Sequence, residues 1–456
     1  MNIIKSAAKK IGMDGAIAYA SSARVFQAIA GVLNIFFIAT FLSGEEQGFY
    51  FTFGSILAIQ VFFELGFTGI MTQYVAHEAA YLTLEDSATY QGPERYKSRL
   101  TSLILFCVKW YSVVALFFFV IINVVGFFYF NKFGQTQGTV EWKLPWLILS
   151  LGTALKLFQS PFTAIFTGLG KVKEMNKITF YQQVIVHVAQ WVLFACGLKL
   201  YVIGIASMLG VIVWFLYVAS TDMLKIFIGL LKGKVTERVS YMKEIFPYQW
   251  KIALSWISGY FIFQLFNPVL FATEGAVIAG QMGMTLSVLN AVQAFAMSWQ
   301  NTKVPKYSVL IELKQYKELD SLFNVTLKQM AMVCGSLLIL TLGVVWFLRT
   351  TQLTIGNSIL GDRFLDYFPL IMMIIPVFLQ SFVNSWATYL RCHKEEPFLV
   401  NSICNGIACL LSTLILGNLF GVYGITIGYC AIQLLFFPWG YYIFKTKKEL
   451  WHGNNE

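Results

Sequence analysis

Apolar residues run along this chain in blocks of about 20, the length a helix needs to cross the hydrocarbon core of a bilayer. Short polar or basic stretches separate the blocks. The pattern predicts twelve spans, at roughly 16–42, 48–76, 101–130, 145–168, 177–198, 202–221, 252–273, 276–302, 329–349, 366–390, 399–418 and 422–443. Inside several of them the polar positions recur three or four residues apart, which places them on one face of a helix. In the first span Arg24, Gln27, Gly31 and Asn34 share a stripe, with Tyr19 and Ala20 at its start. The second span has Gln60, Glu64 and Thr68. The fourth has the longest stripe, Gly152, Lys156, Gln159, Ser160, Thr163 and Thr167, with Pro161 inside it. The fifth adds Gln183, His187 and Gln190, and the eighth Asn290, Gln293, Met297 and Asn301. The opposite faces are Phe, Leu, Ile and Val, so each of these helices has a lipid side and a wet side.

A charged group in mid-span costs on the order of 3 kcal/mol, and it needs a counter-charge or water. Arg24 and Lys156 give two cations, while Glu64 is the one obvious mid-span acid. The first half therefore holds surplus positive charge near its middle. Three readings of Glu64 stay open: a fixed partner of Arg24 or Lys156, a coupling site for a proton or sodium ion, or a packing residue at a helix end. His187 could relay protons or be hydrogen-bonded structure. The neutral stripe residues fit a wet face, and they equally fit hydrogen bonding between helices.

Composition agrees with the pattern. Of 456 residues 57% are hydrophobic and 12% charged, where soluble domains run nearer one quarter charged. The net charge of +10 could suggest nucleic acid, but its placement explains it otherwise. Counting Lys and Arg in alternate connections gives 25 on the side of both termini and 5 on the other. That bias puts both termini in the cytoplasm and leaves no need for a nucleic-acid partner. The start, MNIIKSAAKKIGMDGAIAYA, lacks a small-residue cleavage site and does not read as a secretory signal. The seven cysteines lie within spans or on the cytoplasmic side, so no structural disulfide is expected. No His/Cys spacing suggests a metal, and no cofactor is expected.

The chain contains a repeat. FQSPFTAIFTGLGKVKE at 158–174 aligns with LQSFVNSWATYLRCHKE at 379–395 at an offset of 221, and NIFFIAT at 34–40 matches NPVLFAT at 267–273. Six spans plus six in the same orientation is a parallel-repeat plan. The expected organisation is an N-lobe over 1–221, a basic cytoplasmic linker over 222–251, and a C-lobe with a cytoplasmic tail over 252–456.

Residues 42–78, LSGEEQGFYFTFGSILAIQVFFELGFTGIMTQYVAHE, carry a family pattern. The short turn with Leu42, Gly44, Glu45, Glu46, Gly48 and Tyr50, and the acid-x-Gly of Glu64-Leu65-Gly66, resemble the polysaccharide exporter branch of the multidrug/oligosaccharidyl-lipid/polysaccharide flippase superfamily. The turn GLGKVKEMNK at 168–177 is also similar to that branch. Two departures stand out: the second-span acid is Glu where Asp is commoner, and Gln73 replaces the usual basic residue.

The resemblance implies an all-α polytopic membrane protein, with twelve transmembrane helices in two pseudo-symmetric six-helix lobes, forming a V-shaped alternating-access transporter. It implies a flippase for an isoprenoid-pyrophosphate-linked oligosaccharide, such as an O-antigen or capsule repeat unit, in the bacterial inner membrane. Its load would meet Arg24 and Lys156 through phosphate, and Gln27, Asn34, Gln159, Thr163, Asn290 and Gln293 through sugar or phosphate. Glu64 and His187 would serve coupling or charge pairing. Expected partners are the lipid-linked oligosaccharide, membrane lipids and polysaccharide polymerase or chain-length machinery. A cation- or proton-coupled drug antiporter of the same superfamily is the first alternative. A polymerase or ligase is the second, opposed by short outer loops, the longest roughly 131–144 and 350–365, without clustered carboxylates or His. No Walker-type phosphate loop is present, and no enzymatic activity is expected.

Overall fold

The computed structural model describes residues 15–64, 66–85, 89–134, 140–355, 358–393 and 395–452. Helix dominates, and the only strands among these residues are two short hairpins, 83–85 with 89–91 and 354–355 with 358–359. All twelve predicted spans are helical, and seven helices among the described residues are long and apolar enough to cross a membrane. The first span is α1 (Gly15–Phe41).

The second span is broken. It consists of α2 (Gly44–Leu57), a 3-10 turn over Ala58–Gln60, α3 (Val61–Glu64) and α4 (Phe67–Ala79). Gly66 stands between α3 and α4 at φ 66°, a left-handed conformation that L side chains adopt only at a cost. At the other end, Ser43 and Glu46 form a reciprocal capping box. The Ser43 amide donates to the Glu46 carboxylate at 2.8 Å, and the Glu46 amide to the Ser43 hydroxyl at 3.1 Å. This explains the acid in the turn. The glycine has a separate cause: a Cβ on Gly48 would lie 1.9 Å from the Ala276 carbonyl oxygen.

The chain continues through α5 (Glu94–Phe133), α6 (Lys143–Gly168), α7 (Val172–Ala195), α8 (Tyr201–Ala219) and α9 (Asp222–Leu231). The seventh span is also interrupted, between α10 (Phe246–Phe263) and α11 (Phe266–Thr273). Then come α12 (Ala276–Asn301), α13 (Val304–Glu312), α14 (Tyr316–Thr351), α15 (Tyr367–Arg391) and α16 (Leu399–His452). α16 holds the last two spans. It reverses at Gly421 (φ 57°, ψ −135°), so that Gly424 packs on the Leu416 backbone and Gly428 on Ser412. Asn405 and Gln433 close this hairpin with paired amide hydrogen bonds of 3.3 and 3.1 Å. Glu274 accepts the Val422 amide at 3.1 Å, a carboxylate at the start of the returning helix.

Two compact units emerge from the packing. One gathers residues 1–30, 57–132 and 141–256, the other 31–56, 133–140 and 257–456. In the first, α6 packs against α4 and α8; in the second, α15 packs against α12 and α16. The second and fourth spans thus pair as the eighth and tenth do. The segment following α9 is fastened within the first unit. The Ser98 hydroxyl accepts the amides of Thr236 (2.7 Å) and Glu237 (2.8 Å), and Ser102 accepts that of Val239 (3.2 Å). Arg99 bridges Glu78 at the end of α4 (2.9 Å) and Glu244 (2.8 Å). Tyr74 adds a 2.5 Å bond to the Glu244 carbonyl. The region that composition reads as a linker is therefore strapped to α4 and α5.

Candidate functional site

The candidate site is a polar seam where the broken second span meets α6. The Ser160 hydroxyl lies 2.9 Å from that of Thr68, and Thr68 donates to the Glu64 carboxylate at 2.6 Å. Thr68 has a single hydroxyl proton, so Ser160 must donate to Thr68. Thr72 extends the seam with bonds to the carbonyls of Thr68 (3.0 Å) and Ala164 (3.4 Å). Glu64 ends α3, two residues before the left-handed Gly66 that precedes α4. The first amides of a helix lack intrahelical acceptors and carry the positive end of its dipole, which favours a carboxylate at this break. Non-helical backbone at membrane depth is tolerated where it lies within protein or lines water, and broken helices are a recurring way to build transport sites.

Lys156 lies one turn before Ser160 on the same face of α6 and is exposed. Among the described residues it has no carboxylate within ion-pair distance, and neither Lys nor Arg reaches Glu64. No ion pair joins Lys156 to Glu64 among the described residues, and the side chain of Arg24, the other partner expected for that acid, lies outside them. Tyr111 packs its ring 5.4 Å from that of Phe67 at the start of α4, and its hydroxyl is buried without a hydrogen-bond partner among the described residues.

The other predicted residues divide by surroundings. Gln159 is buried and exchanges amide hydrogen bonds of 3.3 and 3.4 Å with Gln182 of α7. Thr163 is half-buried, and its carbonyl accepts the Thr167 hydroxyl at 2.7 Å. His187 lies with Nδ1 3.2 Å from the Gln190 amide oxygen, which can only accept, and its ring sits 5.9 Å from Phe26 of α1. Gln27 is exposed on α1. Arg24 belongs to α1, and its side chain lies outside the described residues. Three residues fall in the second unit. Asn34 is half-buried and Asn290 exposed, while Gln293 donates to the Val377 carbonyl (3.3 Å) and Ser381 (3.5 Å). The structure thus brings Glu64, Thr68 and Ser160 together, with Lys156 one turn away on the same helix, and gives Gln159 and Gln293 partners within helix packing.

Several polar residues were not singled out by the pattern. Arg363, counted as an outer-loop charge, is buried at 4% exposure. It donates to the Leu42 carbonyl and to the Gln47 amide oxygen. Gln47 in turn donates to the carbonyls of Gly280 (2.8 Å) and Arg363 (3.1 Å). The capping box was legible as S-x-x-E at 43–46; the Arg363 contacts link residues more than 300 apart in sequence and left no local signal.

Solved structures similar to this chain share its architecture. An inward-facing multidrug resistance transporter of the MATE family, in the MOP superfamily, matches at a TM-score of 0.60 and 12% identity, over 94% of this chain and 100% of that one. The lipid II flippase MurJ, in an inward closed conformation, matches at 0.57 and 15%, over 95% of this chain and 90% of that one. The MATE multidrug transporter DinF-BH matches at 0.55 and 13%, over 96% of both chains. No family model matches the chain, and no curated relative does. The chain shares the fold of these solved transporters, an all-α, multi-pass membrane architecture.

Proposed function

We propose that this protein is a flippase that moves an isoprenoid-pyrophosphate-linked oligosaccharide from the cytoplasmic to the outer leaflet, by alternating access of two six-helix lobes divided at the 222–251 linker. The observation that carries the reading is Lys156: an exposed cation in the middle of a span, without an acidic partner among the described residues, one turn from the Ser160–Thr68–Glu64 chain. An unpaired ammonium at that depth is stabilised by water or by an anionic load, and phosphate offers charge-assisted hydrogen bonds. Gln27 and Asn290, exposed polar groups on other spans, suit sugar hydroxyls. The likeness to MurJ, described as a lipid II flippase, supports a lipid-linked substrate. The setting is the bacterial inner membrane with cytoplasmic termini, beside the polymerase and chain-length machinery that would consume the product. The chain acts as a carrier and needs no catalytic residue.

A second reading, a cation-coupled drug antiporter, draws on the MATE likeness and on Glu64, whose carboxylate has a hydroxyl partner and no described cation. One experiment separates the two. The purified protein is reconstituted with a polyprenyl-pyrophosphate oligosaccharide on one leaflet, and head-group sidedness is read with a membrane-impermeant lectin. Transfer of the glycolipid, unaffected by excess cationic dye, is expected. Dye transport without glycolipid transfer would favour the antiporter.

A further inference from the structure

The end of α16 and the turn after α15 bring two histidines into contact, with Nε2 of His452 3.3 Å from Nε2 of His393. Their other nitrogens both face oxygen atoms. Nδ1 of His393 lies 3.4 Å from the Tyr389 carbonyl oxygen, which can only accept, so this Nδ1 carries the proton. Nδ1 of His452 faces the Asp320 carboxylate at 3.7 Å, within ion-pair reach and too long for a hydrogen bond. Asp320 is held in place by Lys448 at 2.9 Å and the Tyr389 hydroxyl at 2.6 Å. An Nε2 proton on one ring makes the contact a hydrogen bond; with both protons on Nδ1, two Nε2 lone pairs face each other across 3.3 Å. That arrangement is repulsive unless a cation lies between them.

The rings are also held rigidly. Trp451 stacks on His393 at 4.4 Å and 21°, and Tyr316 stacks on His452 at 4.1 Å and 17°. Neither imidazole can turn away without giving up its aromatic partner. An Nδ1–H directed at a carbonyl or carboxylate is the outer-shell arrangement that orients metal-ligating histidines. A tetrahedral zinc ion with Zn–N of about 2.05 Å places two ligand nitrogens about 3.3 Å apart.

We propose that His393 and His452 form a two-histidine site for a zinc-class divalent cation, with Asp320 and the Tyr389 carbonyl as the groups that orient the ligands. Imidazole suits zinc, copper and nickel, and oxygen-preferring magnesium is a poor match. No group of three His, Cys, Asp or Glu side chains converges as a metal site among the described residues, so water completes the coordination. The His393 residue is half-buried, and the His452 side chain keeps 10% exposure. Cys392, the neighbouring thiol, points to the Thr388 carbonyl at 3.2 Å and takes no part. A bound ion would join the last turn of α16 to the turn that follows α15.

The test is calorimetric titration of Zn²⁺ into the full-length protein at neutral pH, purified with a tag free of histidine. One saturable site is expected, weakened roughly tenfold or more in His393→Ala and in His452→Ala, a loss on the scale seen when zinc sites are perturbed. Cys392→Ser should bind as the wild type does, and Mg²⁺ should give no signal. The intact protein offers a second readout that no variant can confound by misfolding: bound Cu²⁺ should show imidazole nitrogen coupling in its electron paramagnetic resonance spectrum. Absence of saturable Zn²⁺ binding, equal affinity in the two histidine variants and the wild type, or a copper spectrum without imidazole nitrogens would each overturn the proposal.

Discussion

Two glutamates on the second span differ in the company they keep. Glu78, at the end of α4, has a side chain only 3% exposed and meets Arg99, which also holds Glu244. Glu64, at the break before α4, has a hydroxyl partner in Thr68 and no described cation, while Lys156 stands exposed one turn from the same seam. The first arrangement is a closed ion triad, and its charges serve the fold. In the second, no ion pair is formed among the described residues. The repeat sharpens the contrast. At the offset of 221, Gln159 and Ser160 recur as Gln380 and Ser381, but Lys156 falls on Val377. Ser381 is bonded within helix packing, to Gln293 and the Val377 carbonyl. The helix pairing recurs in both halves; the cation belongs to one of them.

The comparison breaks most readily at the triad. Arg99→Ala leaves Glu78 buried without its counter-ion, and loss of one partner of a buried pair costs about 3–5 kcal/mol. Thermal unfolding of the solubilised protein should show it, with partial recovery in Arg99→Ala combined with Glu78→Gln. A melting temperature unchanged by Arg99→Ala would remove the distinction between the two glutamates. Lys156→Ala should behave in the opposite way. It should leave the melting temperature nearly unchanged and reduce glycolipid transfer roughly tenfold or more, the scale of one lost charge-assisted hydrogen bond. Val377→Ala, at the matching repeat position, should transport normally.

Gly66→Ala sharpens the contrast from the backbone side. The left-handed conformation costs an alanine about 1–2 kcal/mol, so a modest loss of thermal stability is expected. An unchanged protein would mean that the break is not fixed at Gly66. The smallest effect concerns acid. Burial pushes the Glu244 carboxyl up, but the Arg99 hydrogen bond, the Ser240 amide and the Arg99 charge outweigh it and hold the group below its ordinary value of 4.5. A depressed carboxylate contributes stability above its unfolded value and loses it as pH falls through the folded one. The triad should therefore weaken as pH drops below about 4.5, and Glu244→Gln should flatten that limb slightly in a pH series of melting curves.

The spans were legible because burial in lipid writes itself as long apolar runs, and all twelve are helical in the structure. The break in the second span was not read, since 48–76 looked like one continuous helix; its signal is Gly66, because few residues other than glycine adopt a left-handed turn without cost. Glu274 accepts the Val422 amide, a contact that depends on the reversal at Gly421. What could not be read joins distant residues. Ser98 reaches the Glu237 amide across 139 positions, and His393 reaches His452 across 59. No local spacing encodes such pairs. Composition likewise gave no sign that 222–251 is fastened to α4 and α5, because hydrogen bonds to serine hydroxyls leave no compositional trace.

The most direct test of the account is head-group transfer measured side by side for the wild type, Lys156→Ala and Val377→Ala in vesicles carrying a polyprenyl-pyrophosphate oligosaccharide. Transfer by the wild type and Val377→Ala, with a loss confined to Lys156→Ala, is the predicted result. Equal transfer by all three proteins, or none by the wild type, would contradict it.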